Sequence, residues 1–279
     1  MLRQRVFTAI VLLLIVAGAV SAPTPWPMLS LLTLMTGCAL WEWWRLVWPH
    51  PLARGGAAVL AVCILGIVSR LLVDGQPDAH RVFQTVLLPL AVVFWLLPAP
   101  WMVARAGVPE RCPSAGLALA GVLALAATWY ALSWVFLQHG AGALISLWAL
   151  VWCADIAAYF AGRSLGRHKL APRVSPGKTW EGAAGGVLAA TAWLLATAAW
   201  WPGSYGALLQ QRLGWPALAL AGIVLAAWSI VGDLFESLLK RRAGVKDSSQ
   251  LLPGHGGVYD RIDAVLPVAP AAILLLLIG

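Results

Sequence analysis

The chain has 279 residues, of which 61% are hydrophobic and only 11% are charged, and its mean hydropathy is +0.83. Because an average soluble domain is about 25% charged, this composition excludes an ordinary soluble protein and predicts a polytopic membrane protein. The formal net charge of +8 does not make nucleic acid the expected partner, since the basic residues lie between apolar segments. Anionic lipids and phosphate-bearing substrates are the partners that this pattern favours.

Apolar segments recur along the whole chain and predict an all-α fold with about nine transmembrane helices. Most of them are long enough to cross roughly 30 Å of hydrocarbon. In chain order they span about 6–22, 27–48, 56–73, 82–104, 115–136, 141–161, 183–201, 215–235 and 264–278. The first also fits a signal peptide, because Arg3 and Arg5 precede it and it ends at Val20-Ser21-Ala22. Pro23 directly afterwards favours an uncleaved anchor.

The basic residues predict the orientation of these helices. Sixteen of the nineteen Lys and Arg residues fall on the side of the N-terminus, and only Arg70, Arg81 and Arg212 fall on the other side. By the positive-inside rule the N-terminus is cytoplasmic and the C-terminus is outside. We expect a bacterial inner membrane, with two long cytoplasmic connections at 162–182 and 236–263. The chain then divides into a transmembrane scaffold, 1–136, and a catalytic region, 137–279.

The four cysteines show no paired spacing. Cys38, Cys63, Cys112 and Cys153 lie far apart, and three of them are inside apolar segments. They predict neither a disulfide framework nor a metal site.

Polar residues gather in and after the sixth apolar segment. Asp155 lies inside that segment, one turn before Tyr159, and should line a polar interior. Gly177-Lys178-Thr179 resembles the end of a phosphate-binding loop, but Pro172 stands where the upstream glycine is needed, which excludes a Walker motif. Ser175, Lys178 and Thr179 can still surround phosphate oxygens where a helix begins. His168 is interpreted as an ordinary loop residue.

The end of the eighth segment carries a polar helix face. Asp233, Glu236, Ser237 and Lys240 are spaced i, i+3, i+4 and i+7, which puts them on one side of a helix. An acidic residue at the edge of an apolar segment has a partner or a function. For Glu236 an ion pair with Lys240 is the favoured interpretation, and for Asp233 a functional role.

Basic residues and glycines follow this face. Arg241 and Arg242 extend the positive charge, Lys246-Asp247 comes next, and Gly254-His255-Gly256-Gly257 follows Pro253. Glycines around a histidine permit positive φ and close backbone approach, so successive N–H groups can bind an anion. The simpler alternatives are a positive-inside anchor and an ordinary tight turn.

Two further carboxylates open the last segment. Asp260 and Asp263 are spaced i, i+3 with Arg261 between them. Together with Asp233 they predict an oxygen-rich Mg²⁺ site completed by substrate phosphates, with a second cation left open. Stabilisation of a helix N-terminus explains one of the two carboxylates but not both.

The residues of 237–263 form the pattern SxxKRxxxxKDxxxxxPGHGGxxDRxD, which resembles the signature of the phosphatidate cytidylyltransferases, or CDP-diacylglycerol synthases. The 155–182 segment is similar to a second stretch of that family, which ends in Ser-Pro-x-Lys-Thr-x-Glu-Gly. The resemblance covers roughly 150–265 and departs at Ile156, where a threonine is expected.

The resemblance implies that CTP and phosphatidate react to CDP-diacylglycerol and pyrophosphate. It implies Mg²⁺ ligation by Asp233, Asp260 and Asp263, phosphate binding by Lys240, Arg241 and Lys246, and charge stabilisation by Arg261. The substrate-binding set is Ser175, Lys178, Thr179, Ser237, Asp247, Gly254, His255, Gly256 and Gly257. A homodimer is compatible with the resemblance. A CTP-dependent lipid kinase and an ion-coupled transporter remain as alternatives.

Overall fold

The computed structural model describes residues 2–48, 50–106 and 114–278, so the predictions for Arg111 and Cys112 lie outside the described residues, as do the side chains of Arg3 and Arg5. The described chain is mostly helical, which confirms the predicted class. Its helices are α1 Leu2–Ser21, α2 Trp26–Val47, α3 Pro51–Val73, α4 Pro77–Val82, a π-helical turn Phe83–Leu87, α5 Leu88–Leu96, α6 Pro98–Ala104, α7 Ala115–Leu165, α8 Trp180–Trp200, α9 Tyr205–Ala243, α10 Tyr259–Ile262 and α11 Val265–Ile278.

Within the described residues, five helical stretches are long and apolar enough to cross a membrane, judged by length and composition. They are Pro51–Val73, Pro77–Ala104, Ala115–Leu165, Trp180–Trp200 and Tyr205–Ala243. Two shorter apolar helices cover Val6–Ser21 and Val265–Ile278. The chain therefore has the helices of a membrane protein, while the predicted count of nine spans stays a prediction.

Two of the long helices are interrupted at glycines with positive φ. Gly140 has φ 80° and ψ −173°, and it divides α7 near its middle. Gly214 has φ 76° and ψ 172° and divides α9 close to its start. Residues with a Cβ adopt this conformation only at a substantial energetic cost. Each glycine therefore ends one helical stretch and lets the next begin in a new direction.

A small β-hairpin lies in the connection 162–182, where no strand was predicted from the sequence. Strands β1 Lys169–Ala171 and β2 Ser175–Thr179 pair antiparallel, with Lys169 opposite Thr179 and Ala171 opposite Ser175. The hairpin leads directly into α8, whose first turn is capped by the Thr179 hydroxyl, which accepts from the Gly182 N–H at 3.1 Å. The predicted connection 162–182 is thus shorter than expected, because α7 continues to Leu165 and α8 begins at Trp180.

The last helix lies in the middle of the bundle. Most of α11 is buried, including every residue from Val265 to Ile273, and it packs against α5, α7 and α9. Burial on all sides explains why its sequence is apolar without helical periodicity. The residues just before it, 259–263, are therefore fixed at one end of the bundle core, where α9 also ends.

Helix α2 is attached to this same end. Trp43 is fully buried, donates its indole N–H to the Leu117 carbonyl at 2.8 Å, and contacts the rings of Phe235 and Tyr259. Trp44 donates in the same way to the Ala118 carbonyl at 3.1 Å. These contacts fix the C-terminal turns of α2 beside α7, α9 and α10.

Candidate active site

A cavity of about 630 Å³ lies where α7, α8, α9, the hairpin and the residues before α11 meet. It joins the two segments that the sequence singled out, although they are separated by more than fifty residues along the chain. Nine of the predicted site residues line it, namely Ser175, Lys178, Thr179, Asp233, Lys240, Asp247, Asp260, Arg261 and Asp263. We call this space the main cavity.

Three carboxylates face one another in the main cavity. Asp233, Glu236 and Asp263 each offer an oxygen, and these oxygens lie within 4.8 Å of one another. Glu236 is 2% exposed, and its Oε1 is buried without a hydrogen-bond partner among the described residues. Carboxylate oxygens are the ligands that Mg²⁺ and Ca²⁺ prefer. A buried oxygen without a partner next to two further carboxylates fits a hard divalent cation.

Two lysines neutralise part of this charge. Lys178, from the hairpin, forms an ion pair with Asp233 of α9. Lys240 lies 2.7 Å from Glu236 Oε2 and 2.8 Å from Asp260 Oδ1. The predicted pair between Glu236 and Lys240 is therefore confirmed, but Glu236 also belongs to the carboxylate cluster. Both lysine side chains reach the cavity, so their charges face any ligand bound there.

Asp260 is held differently from the other carboxylates. Its Oδ2 accepts from the Ser248 N–H at 3.0 Å, the Ser248 hydroxyl at 2.9 Å and the Gly257 N–H at 2.8 Å. Burial alone would raise the pKa of Asp260, but hydrogen bonds with Glu236, Lys240 and Gly257 hold it below its usual range. Asp260 is thus an ionised group whose oxygens already have donors, and it lies outside the cluster of Asp233, Glu236 and Asp263.

A second cavity, of about 780 Å³, shares Asp247 and Arg261 with the main cavity. It is lined by the predicted residues Lys246, Gly254, His255 and Gly256. Gly254 and Gly256 have φ values of 77° and 83°, a conformation that glycine permits. Arg261 donates to the His255 carbonyl at 2.7 Å, so its guanidinium supports the turn from the side of the main cavity.

Three predicted residues line neither of these two cavities. Arg241 is exposed and donates to the Val174 carbonyl at 3.3 Å, which ties α9 to the hairpin. Gly257 is buried, and its N–H contributes to the Asp260 site. Ser237 is partly buried on α9 beside Glu236. Arg241 and Gly257 therefore make contacts that support the site, although neither of them lines either cavity.

Several residues that line or support the site are absent from the predicted catalytic and binding residues. Asp155 and Tyr159 line the main cavity, as expected for a polar interior, and Arg163 joins them by donating to the Tyr159 hydroxyl at 3.0 Å. His168 is more than a loop residue, because its ring lies 2.6 Å from Glu181 and fixes the start of α8. Glu42, on α2, is fully buried against the 248–259 loop.

Comparison with known proteins gives consistent matches. Residues 3–278 match the model of a family described as the cytidylyltransferase family. A protein of Haemophilus influenzae named phosphatidate cytidylyltransferase is 37% identical, and the alignment covers 97% of this chain and 96% of that protein. A Pseudomonas aeruginosa protein of the same name is 39% identical over 99% of this chain and 97% of its own length. One from Brucella suis is 48% identical over 59% of this chain and 56% of its own.

Proposed function

This chain belongs to the cytidylyltransferase family, and we propose that it transfers the cytidylyl group of CTP to phosphatidate, giving CDP-diacylglycerol and pyrophosphate. The observation that carries the proposal is the main cavity. It unites the two sequence segments on which the family resemblance rests, and the ion pair of Lys178 with Asp233 links one to the other. Full-length relatives carry the name of this activity.

The charges of the cavity suit a reaction between two polyanions. A phosphatidate oxygen attacks the α-phosphorus of CTP in line, a new P–O bond forms, and the bond to the pyrophosphate group breaks. The attacking phosphate is already ionised near neutral pH, so the site needs positioning and charge rather than a strong general base. Lys178 and Lys240 are placed to exchange their carboxylate contacts for substrate phosphate oxygens.

The carboxylate cluster is the proposed site of Mg²⁺. Asp233 and Asp263 belong both to the predicted ligand set and to the cluster, and Glu236 adds the unpartnered oxygen. Asp260 remains a predicted ligand, which would first have to exchange its contact with Lys240. Mg²⁺ bound here would neutralise charge on the reacting phosphates. A second cation stays open.

The remaining predicted residues surround this centre. Ser175, Thr179, Asp247 and Arg261 border the main cavity, while Lys246 and residues 254–256 flank the second cavity, which has room for a further part of the substrates. Ser237 and Arg241 lie next to the cavity without lining it, and their roles in binding substrate and phosphate remain predictions. The division into 1–136 and 137–279 also stays a prediction.

We propose nine membrane spans, with the N-terminus and the active site cytoplasmic and the C-terminus outside, in a bacterial inner membrane. A straight α7 of 51 residues would be far longer than a bilayer is thick. The break at Gly140 gives two stretches that can each cross once, and α1, α2, α11 and the other long helices supply the rest. A homodimer is compatible with this arrangement.

The test is an assay in detergent micelles with purified protein, phosphatidate, Mg²⁺ and CTP labelled in the cytosine. We expect label to enter the lipid phase and pyrophosphate to be released in equal amount. Label that stays in water as CDP would indicate a lipid kinase instead. Unchanged CTP would contradict the proposal and reopen the transporter alternative.

A further inference from the structure

Glu42 is a buried carboxylate in a part of the chain where no functional residue was predicted. It lies on α2, has 0% exposed surface, and comes from a segment separated by about two hundred residues from the loop that it contacts. An isolated buried charge is strongly unfavourable, so a carboxylate in this position needs several donors. The contacts of Glu42 supply them.

Four donors from one loop converge on the Glu42 carboxylate. Oε1 accepts from the Ser249 hydroxyl and from the Val258 N–H at 3.0 Å. Oε2 accepts from the Tyr259 N–H and lies 3.3 Å from the Ser248 hydroxyl, whose single proton it shares with Asp260 Oδ2. These donors come from both ends of the 248–259 loop. A single side chain therefore closes that loop and fixes its two ends relative to each other.

The same loop holds Asp260. The Ser248 hydroxyl lies between two carboxylates, 2.9 Å from Asp260 Oδ2 and 3.3 Å from Glu42 Oε2. The Ser248 N–H also donates to Asp260, and Asp260 in turn binds Lys240. A shift of the loop ends would thus move Asp260 and the ammonium group that faces the substrate.

Helix α2 is itself firmly placed. Arg45, one turn after Glu42, donates to the Ser248 carbonyl at 2.6 Å, and Trp43 packs against Tyr259. A Cβ built on Gly257 would lie 2.6 Å from Glu42 Oε1 and 2.0 Å from the Ser248 hydroxyl, so only glycine fits beside this carboxylate. The loop and α2 therefore pack against each other without space for an additional side-chain atom at Gly257.

We propose that Glu42 is a positioning residue for the reaction, acting through Ser248 and the 257–259 backbone on Asp260 and Lys240. This inference rests on the proposed function, because its test measures the rate of cytidylyl transfer. Loss of a second layer of hydrogen bonds around reactive groups lowers activity about 10- to 100-fold. The substitution Glu42→Gln keeps the shape of the side chain. Its amide has only one acceptor oxygen, so one of the two backbone N–H groups that Glu42 binds loses its acceptor and meets an NH₂ group instead.

The experiment compares Glu42→Gln with Ser146→Ala. Ser146 is buried and accepts from the Tyr205 N–H at 2.8 Å, away from the loop, so its loss lowers stability without touching the site. For each folded variant we measure kcat, KM for CTP, and hydrogen exchange of the 248–259 amides. The wild-type protein is assayed first, since absence of cytidylyl transfer there would refute the proposed function and not the role of Glu42.

We expect Glu42→Gln to lower kcat about 10- to 100-fold, with a smaller change in KM and with faster exchange at Val258 and Tyr259. Ser146→Ala should leave kcat and the loop exchange unchanged. Wild-type kcat per folded Glu42→Gln enzyme would overturn the proposal, as would unchanged exchange of the loop. If the Gln variant does not fold, Glu42→Asp, which keeps the charge but withdraws it by one methylene group, is held to the same two readouts.

Discussion

Two lysines and their carboxylate partners set the charge of the main cavity at the scale of single residues. Lys178 pairs with Asp233, and Lys240 lies between Glu236 and Asp260. The carboxylates outnumber the lysines, so the free protein has spare negative charge for a cation and positive groups that can move to phosphate. This division of roles makes separate predictions for an acidic and a basic residue.

Replacing Asp263 by Asn should abolish most activity. The change removes one of the three clustered carboxylates while keeping the size of the side chain, so the protein should still fold. We expect kcat to fall about 100-fold or more, as when one charge partner of a transition state is lost. The matched control is Asp74→Asn, because the Asp74 carboxylate pairs with Arg70 at an exposed position, and this variant should keep full activity. Equal activities of the two variants would show that the Asp263 carboxylate has no role in the reaction.

Replacing Lys240 by Met should lower stability as well as activity. It leaves Glu236, which is 2% exposed, and Asp260 without their cation. Breaking a buried pair in this way costs about 3 kcal/mol or more, so the unfolding midpoint in detergent should drop clearly below that of the exposed Lys169→Met control. Adding Glu236→Gln to Lys240→Met should recover stability but not turnover. If both properties recover, Lys240 serves the fold alone.

The sequence was informative about residues that stand out from an apolar background. Asp233 and Asp263 were predicted as functional, and Asp155 as lining a polar interior, because a carboxylate in or beside a membrane segment needs a partner, and all three line the main cavity. Glu42 satisfies the same rule but stands alone among tryptophans. Its partners, Ser248 and Ser249, are about two hundred residues away. No spacing in the sequence could reveal that contact.

At the scale of elements, the 248–259 loop depends on one close approach. Gly257 faces the Ser248 hydroxyl and Glu42 at distances that a Cβ would fill. Gly257→Ala should therefore displace the loop and with it Asp260. The matched control is Gly66→Ala on α3, where nothing lies within 4 Å.

We expect Gly257→Ala to lower activity about tenfold or more, since a displacement of about 1 Å in a reactive group can cost 100-fold. Gly66→Ala should retain wild-type activity and stability. Turnover in micelles and the unfolding midpoint are the two measurements. A fully active Gly257→Ala enzyme would show that the loop tolerates a side chain and that its close packing is dispensable.

The positions of the elements were predictable to different degrees. Long apolar runs located the helices well, because burial in lipid or protein leaves a continuous signal. The hairpin at 169–179 was missed, since strands of three and five residues carry no alternation, and β2 contains Pro176 and Gly177. The hairpin is stabilised by contacts of residues that flank the strands. The Trp180 N–H donates to the His168 carbonyl, and the His168 ring contacts the Glu181 carboxylate.

The orientation of the whole molecule can be tested with single cysteines in a cysteine-free background. Gln76, in the exposed turn after α3, should lie outside, and Arg173, exposed in the hairpin, should lie in the cytoplasm. In intact spheroplasts an impermeant maleimide should label Gln76→Cys strongly and Arg173→Cys only after permeabilisation. The reverse pattern would invert the topology, and labelling of both would contradict an odd number of spans between the two positions.

The central claim concerns the whole molecule, which gathers lysines and carboxylates from distant segments around one cavity to transfer the cytidylyl group of CTP to a lipid phosphate. The most direct measurement follows CTP labelled at the α-phosphate, and separately at the γ-phosphate, with phosphatidate, Mg²⁺ and either wild-type or Asp263→Asn protein. We predict that the wild-type enzyme moves the α label into lipid and the γ label into pyrophosphate, and that the folded Asp263→Asn variant does neither. Lipid carrying the γ label, or undiminished transfer by Asp263→Asn, would contradict the account.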